Sequence, residues 1–237
     1  MNSKKLFIHI PKNAGLTVRR FHQVANEIIL PSPGLYVSKS YTDRLNQTMQ
    51  EAGEHHGHEH ARWRDIHKQF TDQYQSFAVV RNPWTRVGSR YMFGLRAVEK
   101  ERAPKGYMPN SFEEFLEERH EYGNKEFYWH RAVRGWYQQL DYVIDHLGDI
   151  KCDILRFEHF EEDLRKYFDI SDSVKIKSSN NFHRGNTDPN WAKWDIDYRT
   201  LYNDKTIQIV ADWYKDDIEK FGFTFYSTAT KNIWDQL

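Results

Sequence analysis

Two short apolar runs, each ending abruptly in a turn that opens a helix, constrain this chain more than any other feature. The first covers residues 5–10 and stops at Pro11-Lys12-Asn13-Ala14-Gly15; the second covers residues 75–80 and stops at Arg81-Asn82-Pro83. A third run at 153–157 is followed by a helical stretch at 158–168. Apolar runs this short and continuous suit strands covered on both faces, the condition of a parallel sheet. Parallel neighbours cannot be joined by a tight hairpin, so each strand must be followed by a crossover, usually a helix. The chain therefore reads as one α/β domain over residues 1–237, with a central, mostly parallel sheet flanked by helices.

The remaining periodicity fills in the helices. Helices are expected at 15–28, 42–52, 61–70, 83–99, 127–140 and 206–221, on apolar spacing for the first and the last, which Gly222 closes, and as a polar helix at 42–52. Pro83 suits the first turn of its helix, and Ser111 with Glu114 forms a capping-box opening for a helix to about residue 120. Lys and Arg together number 34 and Asp and Glu 34, so a global electrostatic grip on nucleic acid is excluded, though a local basic pocket is not. The aromatic share of 16% excludes a disordered polyelectrolyte. The single cysteine, Cys152, excludes an internal disulfide. The opening run LFIHI is shorter than the ~7–15 apolar residues of a signal peptide, and no stretch reaches the ~18 of a membrane span. The expectation is a soluble, cytoplasmic protein with no nucleic-acid or membrane partner.

The first turn has the makings of an anion site. A strand, a tight turn and a helix start aim backbone N–H groups and the positive helix end at one spot. Lys12 adds a charge, Thr17 a hydroxyl, and Gly15 a close approach to the backbone. It is not the triphosphate loop, because the lysine precedes the glycine. By itself the segment reads equally as a βα turn with a surface lysine. The second turn adds weight: Arg81 stands at a strand end, where open α/β sheets bind ligands, and Ser89 follows two helical turns on. An arginine fork with a serine hydroxyl suits a phosphate monoester. The competing explanations are a structural salt bridge for Arg81 and a packing role for Ser89.

The segments HIPKNAGLT, VRNPWTRVGSRY and LRFEHFEEDL, with the closing stretch through Asp216 and Phe221-Gly222-Phe223-Thr224-Phe225, resemble the PAPS-dependent sulfotransferases. The resemblance is nearest to the carbohydrate-type branch that contains heparan sulfate 2-O-sulfotransferase, and it runs in order along most of the chain. It implies a P-loop-like sulfotransferase fold. It also implies 3′-phosphoadenosine 5′-phosphosulfate (PAPS) as sulfuryl donor and a hydroxyl-bearing acceptor, expected to be a saccharide. The donor's 5′-phosphosulfate is then expected at Lys12, Asn13, Ala14, Gly15, Leu16 and Thr17, and its 3′-phosphate at Arg81 and Ser89. Arg184, in the loop at 181–187, is a third candidate phosphate contact, with an exposed loop arginine as the alternative. Two positions depart from the family pattern: Asn13 stands where Thr is common, and Leu16 where Thr or Ser is common. Arg156 and Glu158 are expected to brace the site.

Residues 55–60 read His-His-Gly-His-Glu-His. Real zinc sites usually draw on more than one element and often on cysteine, so no metal ligand is assigned here. Sulfuryl transfer to a hydroxyl needs a base, and histidine is suited to that near neutrality. The 2-O branch carries a His-x-His pair at a similar distance before its Arg loop. By that match His60 is the base and His58 the accessory histidine, with Glu59 as the alternative base and Lys12 the catalytic cation. Trp63, Trp84, Trp129, Trp136 and Trp191 are candidates for stacking on a sugar, or simply core, and acceptor choice is expected between residues 93 and 136. Two rival functions fit parts of the pattern. One is a kinase-type phosphotransferase; the other is a non-enzymatic nucleotide or metal binder that uses the histidines.

Overall fold

A computed structural model of the chain describes residues 4–176 and 197–226. Four strands form one all-parallel sheet in the order β2-β1-β3-β4, with β1 at Lys5–Ile8, β2 at Ile28–Ile29, β3 at Ser76–Val80 and β4 at Asp153–Arg156. Side chains alternate across the sheet as a period of two requires. Leu6, Ile8, Ala78, Val80 and Ile154 enter the larger core, while Phe7, Phe77, Val79 and Leu155 enter the smaller one. Leu164 and Phe168 of helix Phe160–Phe168 and Val18 of helix Gly15–Arg20 close the smaller face. Helix Pro83–Glu99 and helix Asp204–Trp213 belong to the larger face, where Val87, Tyr91 and Val210 are buried. At ~1.5–3 kcal/mol for each fully buried large apolar side chain, this two-sided burial is what fixes the strand register.

Because the strands are parallel, the carboxyl ends of β1 and β3 lie side by side, paired through Ile8 and Ala78. The turns that follow them are therefore neighbours, which is the structural fact on which the site depends.

Helix Pro83–Glu99 has the expected limits, with Asn82 capping it by accepting from the Trp84 amide. Ser111 accepts from the Glu114 amide at the start of Phe112–Glu117, and the Glu114 carboxylate accepts from the Asn110 amide. Three expectations fail. The 15–28 helix breaks at Phe21, whose extended backbone separates two short helices, and Ile28 instead pairs with Lys5 as an edge strand. The 61–70 helix is replaced by a 3-10 turn at Trp63–Asp65 and a short helix at Lys68–Gln73. The 127–140 helix reduces to a 3-10 turn at Tyr128–His130 and a short helix at Leu140–Val143. The reason lies in the side chains of this last segment. Phe127, Tyr128, Trp129, Trp136 and Tyr137 are all buried, so there is no polar face for a surface helix to present. Phe127 moreover takes a positive φ of 67°. The 206–221 helix is interrupted at Tyr214 and ends at Gly222 in the left-handed conformation, φ 74°. No helix among the described residues is long and apolar enough to cross a membrane.

Candidate functional site

The turn after β1 is tight enough to need two residues in the left-handed region, Lys12 at φ 71° and Ala14 at φ 57°. Among the described residues nothing accepts from the amides of Ala14, Gly15 and Leu16, which open helix Gly15–Arg20, whereas the Asn13 amide closes the turn onto Ile10 O at 3.3 Å. Gly15 is required here by a protein group. A Cβ on it would lie 1.6 Å from Nε2 of the buried His9. Asn13 is turned inward; its side-chain amide donates to Val79 O at 2.8 Å and to Gln139 Oε1 at 2.5 Å. Thr17 is buried and Leu16 half-buried.

The second turn lies against the first. Arg81 donates from Nη1 to Lys12 O at 3.1 Å and from Nε to Thr85 Oγ1 at 2.8 Å, and its guanidinium covers the Phe157 ring at 4.1 Å. Lys12 Nζ sits 4.1 Å from the centre of the Phe93 ring, itself 44% exposed. Thr85, Ser89 and Phe93 are spaced four apart on helix Pro83–Glu99, so they form one stripe. Half-buried Ser89 thus lies between the residue that receives Arg81 and the residue that receives Lys12. The field is strongly positive. Burial, then the charges of Arg81, Arg96 and Arg90, push Lys12 down to about 7. Burial lowers Arg81 to about 10, with Glu158 opposing and Arg86 adding to the shift.

A buried hub, Gln139, holds the two turns in register. Its Oε1 accepts from the Arg81 amide at 2.8 Å as well as from Asn13, and its Nε2 donates to Arg81 O at 2.7 Å. Asp217 fixes this hub by accepting from the Gln139 and Leu140 amides, both at 2.8 Å. Arg86, in the first turn of helix Pro83–Glu99, donates from Nε to Pro11 O at 3.2 Å and from Nη1 to Tyr137 O at 3.0 Å. Glu158 accepts from the Asn82 amide at 2.8 Å, and Arg156 is held by Asp163 through Nε and Nη2 at 2.9 and 2.6 Å. Glu158 therefore braces the second turn, whereas Arg156 ties the end of β4 to helix Phe160–Phe168.

The histidine loop reaches the same corner from the side. His60 is buried, and its Nδ1 lies 2.8 Å from His9 O. A carbonyl only accepts, so Nδ1 carries the proton and Nε2 keeps the lone pair. The His9 and His60 rings are 4.3 Å apart between centres, which puts His60 beside the β1 turn. Burial, opposed by Glu59 and the His9 carbonyl, lowers the His60 pKa, which favours the neutral ring. His58 points elsewhere: its Nδ1 meets Tyr36 Oη at 3.2 Å and its ring packs on His56. Glu59 pairs with Arg19 at 3.0 Å. Burial acts to raise Glu59, but the charges of His60 and Arg19 and its hydrogen bonds outweigh that and lower it. The loop is anchored from behind, where Arg131 pairs with Glu54 and donates to His55 O, and His130 Nδ1 donates to Gly57 O at 3.3 Å.

Lys12 and Arg81 thus meet at one corner, Ser89 lies on the helix stripe between their partners, and His60 reaches the β1 turn through His9, whereas His58 meets Tyr36 and His56. Arg184 and Trp191 lie outside the described residues. Trp84, Trp129 and Trp136 are core, and Trp63 is half-buried with its Nε1 donating to Ser76 Oγ at 3.1 Å. His9, Phe93, Gln139 and Asp217 escaped the sequence reading. His9 alone left a signal, a polar residue inside an apolar strand run.

A family model described as the sulfotransferase family matches residues 2–224. No curated protein and no solved structure matches the chain.

Proposed function

The chain belongs to the sulfotransferase family, and from that premise we propose that it moves a sulfuryl group from PAPS to a saccharide hydroxyl, with His60 as the base. One observation carries the reading: two half-buried cations, Lys12 and Arg81, stand side by side at the tips of β1 and β3. All the charges that act on Lys12 are positive. A pocket of this sign attracts a polyanion. The residues fit the donor, since three unaccepted amides and Lys12 face one end of the corner, and Arg81 with Ser89 the other.

When bound, the donor supplies the sulfuryl group and a bisphosphate leaving group. Lys12 and the amides of Ala14, Gly15 and Leu16 hold the charge that grows on the leaving oxygen as its bond to sulfur breaks. Arg81 and Ser89 hold the 3′-phosphate and so set the position of the sulfur. His60 Nε2 takes the acceptor proton while the acceptor oxygen bonds to sulfur, and its Nδ1–H stays on His9 O, which orients the ring. His58, tied to Tyr36, shapes the approach to His60. The saccharide acceptor rests on the branch that the sequence resembles.

Incubation with labelled PAPS and a panel of saccharide, phenol and peptide hydroxyls, read by mass spectrometry, tests this. A mass gain of one sulfuryl group on a saccharide is expected. Transfer only to other acceptors overturns the saccharide assignment. Thermal stabilisation by ATP but not by adenosine 3′,5′-bisphosphate favours the phosphotransferase.

A further inference from the structure

The work proposed for His60 leaves a different property of the same corner unused. His9, Glu59 and His60 each present one ligand atom, and the three atoms lie within 4.8 Å of one another. Two imidazoles and one carboxylate are a donor set that suits a zinc-type divalent ion and leaves a coordination position open. The set draws on two elements, the end of β1 and the 3-10 turn His58–His60, and not on the histidine run alone.

Three further observations point to a ligand. His9 Nδ1 is buried without a hydrogen-bond partner, and the residue is 6% exposed. That is a cost which the fold leaves uncompensated. His60 Nδ1 donates to a backbone carbonyl, the outer hydrogen bond that a metal-bound imidazole commonly makes, and this leaves Nε2 to coordinate. Glu59 accepts from Arg19 at 3.0 Å, which orients its carboxylate. Ligand atoms around a tetrahedral zinc lie about 3.4 Å apart, given bonds of ~2.0–2.1 Å. Closing the set therefore asks for a small inward shift, which half-buried Glu59 is placed to make.

We propose that His9, Glu59 and His60 form a site for a zinc-type divalent cation that excludes base action when filled. The ion would occupy the Nε2 lone pair of His60, the same pair that receives the acceptor proton. The metal is then a reversible inhibitor. This consequence rests on the proposed base role; the binding site itself does not.

Calorimetric titration of the ligand-free chain with Zn²⁺, and the absorption spectrum with Co²⁺, test the site without any turnover. One equivalent bound and a tetrahedral Co²⁺ band are expected. Glu59→Gln, at a half-buried position, should weaken binding by more than the ~10–100-fold that loss of an outer partner costs. His9→Gln should do the same, and a folded-state check by circular dichroism accompanies it. The triple variant His55→Gln, His56→Gln, His58→Gln should bind as the wild type does. Zinc affinity that survives Glu59→Gln, or that disappears in the triple variant, overturns the site and places the metal on the outer histidine run. Tight zinc binding without inhibition of sulfuryl transfer leaves the site standing and removes His60 as the base.

Discussion

The strand-tip turns and the histidine loop meet at one corner but are built by opposite means. The turns at residues 11–14 and 81–82 take their positions from the sheet. β1 and β3 are paired in register, and the turns that leave them are locked together by the buried Gln139 side chain. The loop at 55–60 has no strand behind it. It is pinned by single contacts from the irregular segment 127–137, through His130 and Arg131, and by the His60 bond to His9 O. A sheet edge thus supplies the anion cradle at little extra cost, whereas the base needs an elaborate clamp of buried aromatics and arginines.

The comparison breaks most visibly at its two contact points. His60→Ala should lower turnover by ~10²–10⁴-fold, the range for loss of a general base, in a chain that still folds but melts lower because the bond to His9 O is lost. Steady-state kinetics and a thermal melt on the same preparation check this; turnover at the wild-type level would remove the histidine loop from the chemistry. Gln139→Leu should act in the opposite way, through the fold. It leaves the Arg81 amide and carbonyl without partners and takes from the Asn13 side chain one of its two acceptors, at about 1–3 kcal/mol for each buried unsatisfied group. Chemical denaturation should show a loss of several kcal/mol, and the bisphosphate should bind more weakly because both turns relax.

A pH experiment sharpens the contrast. Lys12 has its folded pKa pushed down to about 7 by burial and then by neighbouring positive charge. The unfolded chain keeps that proton up to the ordinary lysine range, so this residue makes stability rise with pH from about 7 upward. A bound polyanion reverses the effect by favouring the protonated amine. Bisphosphate binding at pH 8 should therefore take up close to one proton, measured by calorimetry in buffers of different ionisation enthalpy. Lys12→Met should bind without that uptake; unchanged uptake in the variant would assign the proton to another group. The smallest effect is expected for His58→Gln. This residue meets Tyr36 and His56 rather than the turns, and its loss should change turnover only a few-fold.

The difference between the two regions also explains what was legible in the sequence. A buried parallel strand writes itself as a short apolar run, and its turn as Pro, Gly or Asn. Lys12, Arg81 and helix Pro83–Glu99 were therefore readable from local pattern. The partners that hold them come from far along the chain. Gln139 and Asp217 are a glutamine in an aromatic stretch and one acid among several, and only folding brings them beneath the turns. Segment 127–137 misled for a physical reason. Its apolar residues are buried on all sides, so helical spacing had no solvent face to report. Gly15 was legible as necessary, but one cause was not, the His9 ring that fills the space beside it. Two-residue β2 left no pattern distinct from the end of a helix.

The central claim is that the two turns grip a single bisphosphate nucleotide. Titration calorimetry with adenosine 3′,5′-bisphosphate against the wild type, Lys12→Met and Arg81→Met tests it most directly. One site on the wild type is expected, with affinity lowered at least ~10-fold in each variant, the scale of one lost charge-assisted contact. Full affinity in either variant, or no binding by the folded wild type, would contradict the account.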